Sequence, residues 1–124
     1  MNDTRPVNLD LSTIKLPITA ITSILTRISG VINFVSVGIM LYLLDMSLSG
    51  PEGFADVKAL LTAPLAKLVI WGIVSVSIYH GLAGLKHLVG DFGYGETLEG
   101  GVLGSRIIIV LSVILIALAG VWIW

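Results

Sequence analysis

Apolar residues gather in three long stretches, separated by two segments rich in glycine, proline and acids. The first stretch runs from about Thr22 to Leu44, contains Arg27 and Asn33, and is closed by Asp45. The second lies between Lys67 and Lys86, and its interior, Leu68–Leu85, holds no Asp, Glu, Lys or Arg and a single histidine, His80. The third, Ile107–Trp124, follows Arg106 and carries no charge. About 20 apolar residues in a helix cross roughly 30 Å of hydrocarbon, and the three stretches are of that order. The intervening DMSLSGPEGFADVKALLTAP and KHLVGDFGYGETLEGGVLGSR read as connections outside the membrane. The pattern predicts an all-α membrane protein, a bundle of three transmembrane helices forming one domain over 1–124. Its expected parts are an N-terminal segment 1–21, helices over 22–45, 65–88 and 106–124, an outer loop 46–64 and an inner loop 89–105.

Composition points the same way. Hydrophobic residues make up 56% of the 124 and charged residues 12%, about half the ~25% usual in globular proteins. A soluble fold of this size needs more charge than that to cover its surface. A net charge of −1 with no basic stripe argues against a nucleic-acid partner. Cysteine is absent, which excludes disulfides, thiolate zinc sites and thiolate-held iron–sulfur clusters within the chain. The opening MNDTRPVNLDLSTIKLP, with Asp3, Asp10 and Pro17, resembles neither a secretory signal nor a transit peptide. Insertion is therefore expected to rest on the spans themselves.

Lysine and arginine set the expected orientation, because translocating them is disfavoured. Arg5, Lys15 and Arg27 precede or open the first span, and Lys86 and Arg106 flank the second connection; Lys58 and Lys67 fall on the other face. The imbalance places the N-terminus in the cytoplasm and the C-terminus outside. Trp71, Trp122 and Trp124 then fall near the outer interface, where they read as anchors.

Polar residues inside a span are candidates for function because their desolvation needs an offsetting partner. His80 lies six residues before Lys86, roughly 9 Å along the helix and inside the hydrocarbon. It is either a histidine bonded between helices or a ligand. Gly84, one turn on and on the same face, leaves room for a flat group such as a haem, although close helix packing uses glycine as well. His87 lies about 10 Å further along the helix, so the two cannot occupy opposite axial positions of one iron. No other histidine exists in the chain, and a bis-histidine haem would take its second ligand from another polypeptide. His87, beside Lys86, is better placed to meet a propionate or phosphate than iron; its plainer reading is a solvated interfacial histidine. Ser23 and Arg27 stack one turn apart at the cytoplasmic end of the first span, as a snorkelling anchor or as a pair that binds a polar head. Asn33 and Ser29 add polar character and can bond across the bundle.

These residues fall in a recognisable order. The runs Arg5-Pro6-Val7-Asn8-Leu9, Pro17, Ser23-Ile24-Leu25-Thr26-Arg27-Ile28-Ser29-Gly30, Ser49-Gly50-Pro51-Glu52-Gly53-Phe54, Tyr79-His80-x-x-x-Gly84-x-Lys86-His87 and Asp91-Phe92-Gly93-Tyr94 are colinear over nearly the whole chain. They closely resemble the larger, cytochrome b membrane-anchor subunit of bacterial succinate dehydrogenase. The resemblance implies half of a heterodimeric haem-binding bundle in the bacterial inner membrane, with the C-terminus periplasmic. It implies that His80 is an axial ligand of haem b, the second ligand coming from the smaller membrane-anchor subunit. Ser23 and Arg27 match residues lining the ubiquinone site, and Arg27 and His87 are candidate neighbours of the haem propionates. The implied partners are that smaller anchor, a flavoprotein subunit that oxidises succinate and an iron–sulfur subunit. Together they pass electrons to ubiquinone, linking the tricarboxylic acid cycle to the respiratory chain; the chain alone is not expected to be catalytic. One position departs from the family pattern: the histidine usual before the arginine is Thr26 here. A fumarate reductase anchor is the nearest alternative, and a haem-free membrane scaffold is an alternative of another class.

Overall fold

The computed structural model describes residues 4–7 and 9–124; Asp3 and Asn8 lie outside the described residues. Its elements are α1 (Ile18–Leu48), α2 (Pro51–Leu60), α3 (Pro64–Asp91) and α4 (Leu98–Ile123). Helices α1, α3 and α4, of 31, 28 and 26 residues, are long and apolar enough to cross a membrane. Each rises about 39–47 Å at 1.5 Å per residue, past the roughly 30 Å of hydrocarbon. Apolar runs mark the part in lipid, whereas backbone hydrogen bonding carries each helix on to its own stop signal. Pro17 ends the N-terminal segment, its carbonyl accepting from the Ala20 and Ile21 amides. Thr97 caps α4 through its hydroxyl, which accepts from the Gly100 amide at 3.0 Å. The third span accordingly begins eight residues before Arg106 rather than at it.

The connection over 46–64 contains α2, a helix its glycine and proline content had obscured. Gly50 precedes it at φ 140°, Pro51 occupies its first turn with Glu52, and Lys58 lies in its last, each favourable there. Gly53 is where α2 turns under the end of α1: a Cβ there would run into the Met46 carbonyl and the Ser49 hydroxyl. At the other end of α3, the Gly93 amide reaches the Gly90 carbonyl at 2.8 Å and the Tyr94 amide reaches that of Val89 at 3.3 Å. Gly93 is at φ 86°, so Asp91-Phe92-Gly93-Tyr94 closes α3 as a Schellman cap. Outside the membrane segments, Asp10 forms a turn in which its carboxylate accepts from the Ser12 hydroxyl and amide at 2.7 and 3.0 Å. Those bonds hold its carboxyl below the ordinary range.

Helix α3 packs against both α1 and α4, and α4 also meets α1. The buried residues of α1 are Thr22, Ser29 and Ser36, spaced by seven and hence on one stripe. Those of α4 are Ser105, Ile108, Ser112 and Gly120, and that of α3 is Ala83. The outer surface carries the large side chains: Phe34, Val121 and Trp122 are 81–87% exposed. Small and hydroxylated inside with apolar outside suits lipid, where tails already solvate the large side chains and helices associate through close packing and hydrogen bonds. The chain is a multi-pass membrane protein. Trp71 departs from the reading as an interface anchor. Its indole N–H donates to the Ile116 carbonyl at 2.9 Å, and a Cβ on Gly120 would lie 3.1 Å from its ring. It joins α3 to α4, whereas Trp122 stays exposed and Trp124 lies 5.7 Å from the Lys67 ammonium.

Candidate functional site

His80 comes from the middle of α3 and is half-buried against α1. Its Nδ1 lies 2.9 Å from the Ser29 hydroxyl. A Cβ on Gly30 would come within 3.3 Å of His80 Cε1, so glycine lets the imidazole rest against the α1 backbone. Nε2 meets no hydrogen-bond partner among the described residues. At Gly84, one turn on, a Cβ would meet nothing within 4 Å. The same face thus carries an imidazole anchored at one nitrogen and open space beside it. Among the described residues no three His, Cys, Asp or Glu side chains gather, so His80 offers a single ligand rather than part of a cage.

Polar bonds on either side of His80 fix α1 against α3. The Tyr79 hydroxyl donates to the Thr22 carbonyl at 2.7 Å and lies 3.5 Å from the Thr26 hydroxyl. Thr26 itself donates to the Thr22 carbonyl at 2.7 Å. Thr26 is therefore tied to the inter-helix seam. Further along, the Ser77 hydroxyl lies 3.1 Å from Asn33 Oδ1. Both Ser29 and Asn33 thus bond across the bundle.

Ser23 and Arg27 lie one turn apart, and both are exposed on the outer side of α1. Ser23 lines a recess of about 80 Å³ with Thr19, Thr22, Thr26, Lys86 and His87. Behind it, the Lys86 ammonium donates to Ser105 at 3.3 Å, and Ser105 lies 3.1 Å from the Thr22 hydroxyl. His87 is exposed and also borders a larger cleft of about 630 Å³ between α3 and α4. The structure brings Ser23 and His87 to one recess, leaves Arg27 beside it, and keeps His80 in a separate setting against Ser29. Sequence reasoning placed Lys86 at a boundary and gave no role to the side chains of Tyr79, Thr22 and Ser105. The spacing of Thr22, Ser29 and Ser36 was the available signal, since hydroxyl residues at heptad intervals mark a packing face.

The three long helices thus carry one histidine held at Nδ1 by a hydroxyl, and polar residues on their outer surface. Comparison with known proteins identifies the class: residues 1–119 match the family model described as succinate dehydrogenase/fumarate reductase transmembrane subunit. The chain belongs to this family. It is 41% identical over 125 residues to the succinate dehydrogenase cytochrome b556 subunit of Coxiella burnetii (strain RSA 493 / Nine Mile phase I), covering 100% of both chains. It is 34% identical over 114 residues to the protein of that name from Paracoccus denitrificans, covering 92% of this chain and 88% of that one.

Proposed function

We propose that this chain is the cytochrome b membrane anchor of a succinate dehydrogenase, binding haem b jointly with a second anchor subunit and forming part of the site where ubiquinone is reduced. The observation that carries the haem reading is His80: Nδ1 is engaged by Ser29, Nε2 has no partner among the described residues, and Gly84 leaves space alongside. That arrangement fits a macrocycle whose iron takes one ligand from this chain. Haem b, when bound, supplies a one-electron carrier; this chain's part is to present a nitrogen at a set orientation in a dry environment. Arg27 and His87 are the candidate neighbours of its propionates. The names of the relatives favour the succinate-oxidising complex over the fumarate reductase alternative.

For ubiquinone, the proposal rests on Ser23 and Arg27. Reduction to quinol adds two electrons and two protons, and negative charge builds on the carbonyl oxygens. A guanidinium stabilises that charge more than it stabilises neutral quinone, and a hydroxyl one turn away donates to a carbonyl and helps fix the ring. With the N-terminus cytoplasmic, this pair stands at the edge of the bilayer, where a lipid-soluble substrate and protons from water both have access. A partner-subunit acid or tyrosine, with water, supplies the protons. The flavoprotein and iron–sulfur subunits supply the electrons from succinate.

Replacing His80 with alanine in the assembled complex tests the haem reading. The substitution is expected to remove or severely disturb the b-type absorption spectrum while membrane insertion persists, since the apolar spans that drive it are unchanged. An unaltered spectrum from assembled His80→Ala complex would show that the iron ligand is another residue.

A further inference from the structure

A hydroxyl carries one hydrogen but has two lone pairs, and that asymmetry decides the protonation pattern of His80. The buried Ser29 Oγ lies 2.8 Å from the Thr26 carbonyl and 2.9 Å from His80 Nδ1. The carbonyl oxygen has no hydrogen to give, so the 2.8 Å contact is a hydrogen bond only if Ser29 donates it. The contact with Nδ1 is then a hydrogen bond only if Nδ1 carries the hydrogen and Ser29 Oγ accepts. In neutral imidazole the lone pair falls on Nε2, the nitrogen without a partner among the described residues. The opposite tautomer would give up the bond to Thr26 and leave Nε2 protonated.

Gly30 completes the arrangement. Its missing side chain lets His80 Cε1 approach to where a Cβ would be only 3.3 Å away, and Nδ1 to 3.9 Å. The ring is therefore confined by contact on one side and by a hydrogen bond at one nitrogen. The neighbouring Tyr79, bonded to the Thr22 carbonyl at 2.7 Å, keeps α3 in register with α1 so that the two constraints act on the same ring.

We infer that Ser29 and Gly30 form a positioning seat for His80, in which Ser29 accepts from Nδ1–H and so reserves the Nε2 lone pair for iron. The inference rests on the proposed haem ligation by His80. Donation from Nδ1–H to oxygen gives the ring partial imidazolate character and makes Nε2 the stronger donor. A stronger donor favours the oxidised iron, so Ser29 lowers the haem potential.

The test is a potentiometric titration of haem in the purified whole complex carrying Ser29→Ala, Ser29→Cys, Ser29→Thr or His80→Ala. Loss of the acceptor in Ser29→Ala is expected to raise the reduced-to-oxidised ratio at a fixed potential about tenfold, equivalent to about 59 mV for one electron. Ser29→Cys, nearly the same size but a weak acceptor, is expected to shift it in the same direction by less. Ser29→Thr, which keeps the hydroxyl, should stay near the parent value. A serine that merely packs would alter the yield of complex but leave the potential where it was. If Ser29→Ala does not assemble, Ser29→Cys decides the question. An unchanged or lowered potential in Ser29→Ala or Ser29→Cys, alongside loss of haem in His80→Ala, would overturn the seat and leave the ligand standing. Retention of normal haem in His80→Ala would instead overturn the ligand assignment on which it rests.

Discussion

Arg27 shows how a side chain's surroundings separate structural from chemical roles. An arginine near the end of a span usually snorkels, and an anchor of that kind needs no specific neighbour. Here Ser23 stands one turn away on the same exposed side of α1, lining a polar recess with Thr22 and His87. Neither Ser23 nor Arg27 is needed to hold α1 against α3, since Thr22, Ser29 and Tyr79 do that. Arg27→Ala and Ser23→Ala are therefore expected to leave the complex assembled. Removing one donor to a developing negative charge costs on the order of 10²–10³ in turnover, so succinate–quinone activity should fall steeply, more for Arg27 than for Ser23. Succinate oxidation with a soluble dye that takes electrons upstream should survive. Parallel loss of both activities with loss of assembled complex would make Arg27 a structural anchor, and no loss of either would move the quinone site elsewhere.

At the scale of elements, two of the motifs that carry the family resemblance turn out to be stop and start signals. Asp91-Phe92-Gly93-Tyr94 ends α3 because only a residue tolerant of φ 86° can occupy position 93 without strain. Ser49-Gly50-Pro51-Glu52-Gly53-Phe54 folds the chain from α1 into α2, and the Phe54 amide bonds the Gly50 carbonyl at 3.0 Å to begin the new helix. A Cβ at Gly53 would meet the Ser49 hydroxyl and the Met46 carbonyl; a serine side chain can turn aside, but the helix backbone cannot, so the corner has little capacity to relax. Gly53→Ala is expected to destabilise the complex by about 1–3 kcal/mol, the usual range for overpacking, read as a lower thermal midpoint in detergent. Gly38→Ala is the control, because a Cβ there meets nothing within 4 Å and alanine favours helix. Equal midpoints for the two variants would show that the corner accommodates a methyl group.

On the proposed function, the whole molecule is incomplete in a specific way. His80 and His87 are seven residues apart on one helix, about 10 Å along its axis, and α1 and α4 contain no histidine. A single copy therefore has one axial ligand to offer an iron at the His80 level. Expressed without partners and titrated with haem in detergent, the chain is expected to give no six-coordinate bis-histidine spectrum while it remains monomeric. Such a spectrum from verified monomer would contradict the need for a second subunit. The same incompleteness shows in the outer surface: Ser23 and Arg27 face outward from a bundle whose own seams are already made.

The length of the apolar runs was enough to determine three spans, because crossing a membrane is a one-dimensional requirement of about 20 apolar residues. His80 stood out as a candidate in the same way, since an ionisable group in an uncharged stretch is costly wherever the helices go. The exact limits were not, because a helix ends where its caps are, and Thr97 and Gly93 lie outside the apolar runs. Helix α2 was hidden for a related reason: Gly50, Pro51 and Gly53 suggest a turn until the geometry shows that they start a helix. Only the tertiary structure decided which polar residues face each other. It turned Trp71 from the interface to the Ile116 carbonyl, brought Lys86 to Ser105, and set Ser29 against His80 across 51 positions of sequence. Within one helix, spacing determines which residues share a face. Between helices, rotation and register are set by the sum of close contacts along the seam, and no local pattern contains that sum.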